Sequence, residues 1–232
     1  MKNGVGNVIR TIRKLGHYRN VALFLIARML YADGKTAVLI FSGIYAAGTM
    51  GWDLIEMLAY GIILTIFAVP GGIMSGWLDH AIGPKRAVVI EIGVTFICLV
   101  AMVSMTPTSI LFFIPVDPAA VLSSSPMFNT LPEVAYMGFA IVIAMSITAA
   151  YASSRALMAR LAPEGMEGEV FGLYALSGSA TAWLGPLLVE HFTATYESQR
   201  IGFGSISILL IAGFVLLLFV NPPPQLNAAA AV

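Results

Sequence analysis

The sequence predicts an all-α membrane protein with six transmembrane helices, and two observations predict it: the composition and a set of long apolar segments. Of the 232 residues, 59% are hydrophobic and 10% are charged, and the mean hydropathy is +0.89. A typical soluble domain carries about 25% charged residues. Crossing a hydrocarbon core takes ~20 apolar residues. We place the six spans at 21–48, 54–77, 86–105, 134–155, 168–190 and 201–220.

The distribution of basic residues predicts the orientation of these spans. Residues 1–20 carry five Lys or Arg residues and no acid, which is typical of a cytoplasmic flank. Six crossings then return the C-terminus to the cytoplasm. The predicted inner segments hold Lys2, Arg10, Arg13, Lys14, Arg19, Lys85, Arg86, Arg155 and Arg160, whereas the outer loops hold only Arg200. This asymmetry predicts an integral protein of the cytoplasmic (inner or plasma) membrane with both termini inside.

Other features argue against a metal, a cofactor or a catalytic centre. The single cysteine, Cys98, lies in an apolar run and fits a packing role, and the three histidines lack the spacing of metal ligands. No catalytic triad-like or paired-carboxylate constellation occurs at a plausible spacing. We therefore expect no enzyme activity, no cofactor and no nucleic-acid partner, with the lipid bilayer as the environment.

The chain is predicted to form one membrane domain over 21–220, since no domain boundary appears within it. The loop between the third and fourth spans contains five prolines and three consecutive serines, which favours an extended outer loop. The tail, 221–232, is uncharged and of low complexity, so we expect it to be disordered.

The first span is the unusual one, because it carries Arg28, Asp33 and Lys35 within an apolar run. A charge near the bilayer centre costs at least ~2.5 kcal/mol on insertion scales, so such residues face a bundle interior or a watered cavity. We interpret this span as lining a substrate or ion pathway. A structural alternative stays open: Asp33 caps or pairs with a neighbouring helix, and the two basic side chains pair or reach an interface.

Helical geometry separates these charges. On an ideal helix Arg28, Tyr31 and Lys35 fall within an arc of roughly 60°, whereas Asp33 points ~140–160° away. They could line one narrow channel only if the helix breaks. We expect the break at Gly34, where unwinding costs least, because broken helices at membrane depth mark substrate or ion sites.

The second span contains Pro70, predicted to kink the helix, and the pair Gly72 and Gly76, predicted to let another helix approach closely. Glu56 and Glu91 lie near span ends, and we interpret them as snorkelling or paired groups rather than proton carriers. The fifth span has small residues that favour tight helix packing, and Gly185-Pro186 offers a bend. The small residues are Ser177, Gly178, Thr181, Ala182 and Gly185.

The loop between the second and third spans resembles the cytoplasmic signature of the major facilitator superfamily. Its two glycines, Gly76 and Gly83, keep the spacing of seven, and Lys85-Arg86 follow. His80 occupies the usual acid position, and Asp79 lies one residue early. The resemblance implies a cytoplasmic gating region, for which the candidate residues are Gly76, Asp79, His80, Gly83, Lys85, Arg86, Arg155 and Arg160.

A second resemblance is more specific. The segments 154–165, 169–178 and 184–186, together with Tyr31-Ala32-Asp33-Gly34, are similar to the C-terminal half of the branch that contains the fungal vacuolar amino-acid effluxer of autophagy and its bacterial relatives. This resemblance covers nearly all of 18–220. It implies one six-helix half of a twelve-helix alternating-access carrier for amino acids or similar small solutes, whose partner is a second six-helix half from a second copy or a separate chain.

This chain departs from the branch at two cavity positions. Tyr151 stands where the fourth span usually has glutamine, and Ser179 stands where the fifth usually has lysine, so we hypothesise that the charge has moved to Lys35. The candidate pathway residues are Arg28, Tyr31, Asp33, Lys35, Tyr60, Tyr151, Tyr174 and Ser177. The alternative function is a non-transporting membrane scaffold or assembly subunit, or a truncated remnant, derived from a carrier half.

Overall fold

The computed structural model describes residues 18–117, 122 and 127–222. Residues 1–17 of the basic flank, part of the long loop and the tail from 223 onward lie outside these residues. The helices are α1 (Arg19–Met50), α2 (Leu54–Ile82), α3 (Pro84–Val103), α4 (Leu131–Leu161), α5 (Glu167–Ser177), α6 (Leu184–Tyr196), α7 (Gln199–Ser205) and α8 (Ser207–Leu218). A small antiparallel hairpin joins β1 (Ser109–Ile110) to β2 (Ile114–Pro115) within the loop that was expected to be extended.

Within the described residues, four helical segments are long and apolar enough to cross a membrane, and they match four of the six predicted spans. They are Leu54–Ile82, Pro84–Val103, Leu131–Leu161 and the α7–α8 segment Gln199–Leu218. The other two predicted spans differ from a simple apolar helix. The first is the 32-residue α1, which carries Arg28, Asp33 and Lys35 within its apolar part, and the fifth is divided into α5 and α6. The structure therefore supports a mostly helical membrane fold without establishing six crossings.

α1 is a single unbroken helix, so the expected break at Gly34 is wrong. Gly34 packs against α8, where an added Cβ would lie 3.0 Å from Leu210 Cδ2. Gly213 of α8 faces back, and a Cβ on it would lie 2.8 Å from the Tyr31 backbone nitrogen. Small residues let two helices approach closely in a membrane. Gly34 therefore brings α1 and α8 together and does not unwind α1.

α4 packs against both α2 and α3. The closest approach is at Gly71 of α2, where an added Cβ would lie 2.6 Å from Met145 Cα. We had expected this approach at the neighbouring glycines. A Cβ on Gly72 would touch only Thr148 Cγ2, at 3.8 Å, and one on Gly76 would meet nothing within 4 Å. The glycine contact is therefore one residue away from the predicted pair.

The predicted outer end of the bundle is closed by aromatic side chains. Trp52 lies edge-on to Tyr136, with ring centroids 5.6 Å apart, and tilted against Tyr60 at 5.4 Å. Its indole N–H donates to Glu133 Oε1 at 3.1 Å. Buried Trp and Tyr residues require such polar partners. The cluster fixes the ends of α1, α2 and α4 relative to one another.

We expect Gly71→Ala to lower the stability of the protein, because the added methyl overlaps the Met145 backbone and overpacking costs about 1–3 kcal/mol. Thermal unfolding in detergent measures the loss. Gly61→Ala is the matched control on the same helix, since a Cβ there meets nothing within 4 Å. Equal melting temperatures for the two variants would contradict the close α2–α4 contact.

Candidate functional site

The four candidate pathway residues of the first predicted span are all buried in α1. The exposed fractions are 7% for Arg28, 1% for Tyr31, 3% for Asp33 and 0% for Lys35. Their side chains leave the helix in different directions and meet different neighbouring helices. The site therefore consists of α1 and the several helices that these four side chains contact.

Arg28 binds the C-terminal end of α5. Its Nη1 donates to the Tyr174 carbonyl at 2.6 Å and to the Ser177 hydroxyl at 2.7 Å. The guanidinium also lies over the Tyr174 ring, 3.6 Å from its centroid. The last carbonyls of a helix lack partners and carry partial negative charge. The guanidinium therefore donates to a carbonyl at the end of α5, where the helical hydrogen bonds stop. This contact brings together three predicted pathway residues, Arg28, Tyr174 and Ser177.

Asp33 binds the N-terminal end of α6. Its Oδ2 accepts a hydrogen bond from the Gly185 backbone N–H at 3.0 Å. The first N–H groups of a helix lack partners and carry partial positive charge. α6 has no side-chain cap of its own at Trp183, so α1 supplies the acceptor. This geometry supports the alternative interpretation of Asp33 as a capping residue.

Residues 178–183, the α5–α6 break, interrupt the fifth predicted span between these two ends. Here Gly178 N–H bonds to Ala175 O, and Ala182 N–H bonds to Ser179 O, three residues back instead of four. The Thr181 hydroxyl donates to the Met29 carbonyl of α1 at 2.9 Å. Apart from Thr181, these residues are exposed on the described part of the chain. The break precedes the bend predicted at Gly185-Pro186.

Lys35 of α1 and Glu91 of α3 are both buried. Lys35 runs beside the Tyr31 ring, with Nζ 5.3 Å from its centroid, and it interacts electrostatically with the Glu91 carboxylate. The Ser153 hydroxyl donates to Glu91 Oε1 at 3.2 Å. Tyr31 is held by Ser154, whose hydroxyl lies 2.7 Å from its own. Neither Lys35 Nζ nor Glu91 Oε2 has a hydrogen-bond partner among the described residues.

The structure bears on three predictions for the pathway: the charge relocated to Lys35, and the places of Tyr60 and Tyr151. Ser179 is exposed at the break whereas Lys35 is fully buried, so the two positions are not equivalent and the hypothesis of a relocated charge gains no support. Tyr60 donates to the Ser42 hydroxyl at 2.8 Å within the aromatic cluster, away from the break. Tyr151 lies at the surface of the bundle, 3.1 Å from the exposed Thr36 hydroxyl.

Some of the candidate gating residues interact with other residues of this chain, and the others are exposed. Gly83 joins α2 to α3 with φ 84°, a conformation that glycine adopts without strain. Lys85 Nζ donates to the Leu218 carbonyl at the end of α8, at 2.9 Å. Asp79 is half-buried and interacts electrostatically with Arg160. His80, Arg86, Arg155 and Arg160 are exposed, as is Gly76.

A separate apolar cavity of about 520 Å³ lies nearer the outer end, between α1, α6 and α7. None of the candidate pathway residues lines it. Its walls include Phe41, Tyr45, Pro186, Val189 and Phe203.

Sequence reasoning missed the partners that complete the site. Glu91 was interpreted as snorkelling or paired; it is 2% exposed and interacts electrostatically with Lys35, which agrees with pairing and not with snorkelling, but Lys35 was not named as its partner. Ser154 begins one of the segments that carry the resemblance to the effluxer branch, but nothing in the sequence marked it as a partner of Tyr31, and Ser153 carried no signal beyond a place in the fourth predicted span. One signal in the sequence pointed to Glu91. A lysine buried within a membrane requires a partner of opposite charge, and Glu91 is an acid within another predicted span.

Comparison with known proteins identifies the lineage of this arrangement. The sequence profile of the family described as vacuole effluxer Atg22 like matches residues 1–229. The chain belongs to this family. It is 25% identical over 91% of its length to an uncharacterized MFS-type transporter, YxiO, of Bacillus subtilis. It is 24% identical over 91% of its length to autophagy-related protein 22 of Coccidioides immitis, and 25% identical over 94% to that of Yarrowia lipolytica.

These similarities confirm the resemblance to the autophagy-effluxer branch of the major facilitator superfamily, a group of membrane proteins. The chain spans 43% of the length of the Bacillus relative and 34% of the length of each of these fungal relatives.

We expect Asp33→Ala to lower the free energy of unfolding by about 1–3 kcal/mol, because it leaves the buried Gly185 N–H without an acceptor. Asp33→Asn keeps an acceptor and loses only the interaction of the charge with the helix end, so its loss is smaller. Thermal unfolding in detergent compares them. Ser179→Ala, at an exposed serine in the break, is the control, and an Asp33→Ala variant as stable as this control would contradict the cap.

Proposed function

We propose that the chain is the C-terminal six-helix half of a secondary transporter, which moves small solutes across the cytoplasmic membrane by alternating access against a second six-helix half. The observation that supports this proposal is the α5–α6 break, an exposed interruption of the fifth predicted span.

Part of the backbone of the break is satisfied by hydrogen bonds to residues three positions back, as at Gly178 and Ala182. Backbone groups that a regular helix would have paired are still exposed, and non-helical backbone at membrane depth lies against protein or lines water. The break is exposed in this chain. In the proposed carrier, a second half and a watered path between the two halves would cover it. Interrupted helices at such interfaces form the substrate and ion sites of secondary transporters.

The chemistry beside the break favours solutes with a carboxylate, and amino acids are the first candidates. Arg28 Nε and the Tyr174 hydroxyl are buried donors without a hydrogen-bond partner among the described residues. Arginine is the preferred side chain for binding a carboxylate. The family description, vacuole effluxer, and the name MFS-type transporter of the Bacillus relative agree with solute export.

The second half is a second copy of this chain or another polypeptide segment. The curated relatives are more than twice as long as the matched segment, which leaves room in each for another six-helix half. Light scattering of the purified protein, corrected for bound detergent, tests this point. A particle of twice 24.7 kDa supports pairing of two copies, and a monomer that recruits no co-expressed half argues against a carrier.

A non-transporting membrane subunit is the second candidate, and one observation favours it. Arg28, Asp33 and Lys85 are all engaged in contacts that hold helices of this chain together. A scaffold derived from a carrier half would keep such contacts after losing its solute. Transport assays of the reconstituted protein with labelled amino acids separate the two candidates.

If the break lines a watered path, we expect a cysteine at Ala180 to react with a membrane-impermeant thiol reagent in intact membranes. Thiols react as thiolates, which form in water and not in lipid. The buried Cys98 is first replaced by serine. Labelling followed by mass spectrometry gives the reacted fraction, and an excess of the transported amino acid should protect the site.

Ile211→Cys is the matched control, because Ile211 of α8 is 46% exposed and belongs to an apolar face expected to contact lipid. It should remain unlabelled. Equal labelling of both cysteines, or of neither, would contradict a watered path at the break.

A further inference from the structure

We infer that the apolar cavity between α1, α6 and α7 is a binding site for a lipophilic cation, a small molecule that carries a positive charge on an apolar body. None of the candidate pathway residues lines this cavity, and neither do residues 178–183 of the α5–α6 break. The inference therefore goes beyond the proposed carrier function and does not depend on it.

The first argument is the size of the cavity and the way in which three helices form it. Its volume of about 520 Å³ lies within the range of ~300–1,000 Å³ that is typical of small-molecule pockets. Pro186, Glu190 and Thr193 line it from positions i, i+4 and i+7 of α6, which lie on one face of a helix. α7 adds Gln199 and Phe203, which are one turn apart. Each of the three helices therefore supplies a wall.

The second argument is the aromatic part of the walls. Tyr45 and Phe203 stack with their ring centroids 5.0 Å apart. The Tyr45 hydroxyl donates to the Val103 carbonyl at 3.1 Å, so the ring of Tyr45, and not its hydroxyl, is available to a ligand. Phe41 adds a third ring one turn earlier on α1. Aromatic rings bury apolar groups and also attract cations to their faces, so these walls suit an apolar body that carries a positive charge.

The third argument is the charge in the wall. Among the described residues, Glu190 is the only charged residue that lines the cavity. Within the same part of the chain, no hydrogen bond or ion pair engages its carboxylate. Arg200, which follows the lining residue Gln199, lies instead over the Phe112 ring, 5.4 Å from its centroid. A neutral ligand or an anion would leave this carboxylate without an opposite charge at the edge of an apolar space, whereas a cation would pair with it.

The position of the cavity indicates how a ligand enters it. Glu190 lies roughly 9 Å from the end of α6 at Tyr196, at a rise of ~1.5 Å per residue, and this end is at the predicted outer surface. Ile44, which also lines the cavity, is 48% exposed on α1. Molecules with an apolar body and a charged end concentrate at the boundary between headgroups and hydrocarbon. The ligand therefore enters from the outer leaflet, with its charge at Glu190 and its apolar body against the aromatic rings.

Binding of tetraphenylphosphonium to the purified full chain in phosphatidylcholine nanodiscs, measured by equilibrium dialysis, tests the site. Four phenyl rings surround the positive charge of this probe, and the charge does not change with pH. Empty nanodiscs give the amount that partitions into lipid, and we expect saturable binding above this amount. Tetraphenylborate, an anion of nearly the same size and shape, should bind at least about tenfold more weakly, because the carboxylate attracts one ion and repels the other.

Three variants locate the bound cation. Glu190→Gln should weaken the binding of tetraphenylphosphonium by roughly fivefold to tenfold and should not weaken that of tetraphenylborate. Glu197→Gln is the matched control, because Glu197 follows α6 directly, is exposed and does not line the cavity. It should change the binding of neither ion. Ala194→Phe places a ring in the cavity and should abolish the saturable binding of the cation. Ala194→Leu, a smaller addition, replaces it if the phenylalanine variant fails to fold.

Two sets of results would overturn the inference. Absence of saturable binding above that of empty nanodiscs, or equal affinity for the two ions, would show that the cavity does not select a cation and is an ordinary contact with lipid tails. Binding that survives the substitutions at Ala194, or that weakens equally in Glu190→Gln and Glu197→Gln, would place the cation elsewhere on the protein. Transport enters none of these measurements, so failure of the proposed carrier function and failure of this site are distinguishable.

Discussion

Two opposite charges on α1 hold the two ends of an interrupted helix, and the rest of the structure depends on this arrangement. Arg28 meets the carbonyls at the end of α5, and Asp33 meets an N–H at the start of α6. Each charge has the sign that complements the helix end it touches. Exchanging the two signs would place like charges together at both ends. The order of the charges along α1 therefore determines where the fifth predicted span is interrupted.

Glycines allow the backbones to approach closely enough for these contacts. A Cβ on Gly185 would lie 2.6 Å from Ala37 Cβ, and one on Gly178 would lie 3.0 Å from Arg28 Nη1. Because both ends of the break reach α1 through glycine, short hydrogen bonds to a buried helix become possible. The desolvation of Arg28 and Asp33 is thereby offset by charge-assisted hydrogen bonds, which are stronger than neutral ones. Lys35 is the exception, since its nearest opposite charge remains separated from it.

The sequence alone predicted the parts of this arrangement that depend on a single helix. Helical geometry placed Asp33 away from Arg28 and Lys35, and Asp33 does meet a different helix from either of them. The position of the break could not be predicted this way, because Gly34 has the local freedom to unwind but is used for contact with α8. Tertiary contact overrides local propensity at that residue.

Glu91 illustrates the same limit in the site. Counted along its span it lies near an inner end, where a carboxylate reaches water, but the packing of α3 turns it inward to 2% exposure. Which face of an apolar helix is buried is determined by its neighbours, and an evenly apolar segment such as α3 carries no periodic signal for it.

The proposed carrier would alternate between two arrangements, and the α1 contacts define what would have to change. Movement of α5 or α6 relative to α1 separates Arg28 from the Tyr174 carbonyl or Asp33 from the Gly185 N–H. Hydrogen bonds to charged groups contribute about 1.5–3 kcal/mol each, so loss of one shifts a two-state equilibrium by roughly one to two orders of magnitude. A solute carboxylate that binds Arg28 supplies an interaction of the same size. In the proposed carrier the break would therefore exchange an internal carbonyl for a solute at nearly constant free energy, which is the condition for an equilibrium that ligand binding is able to shift.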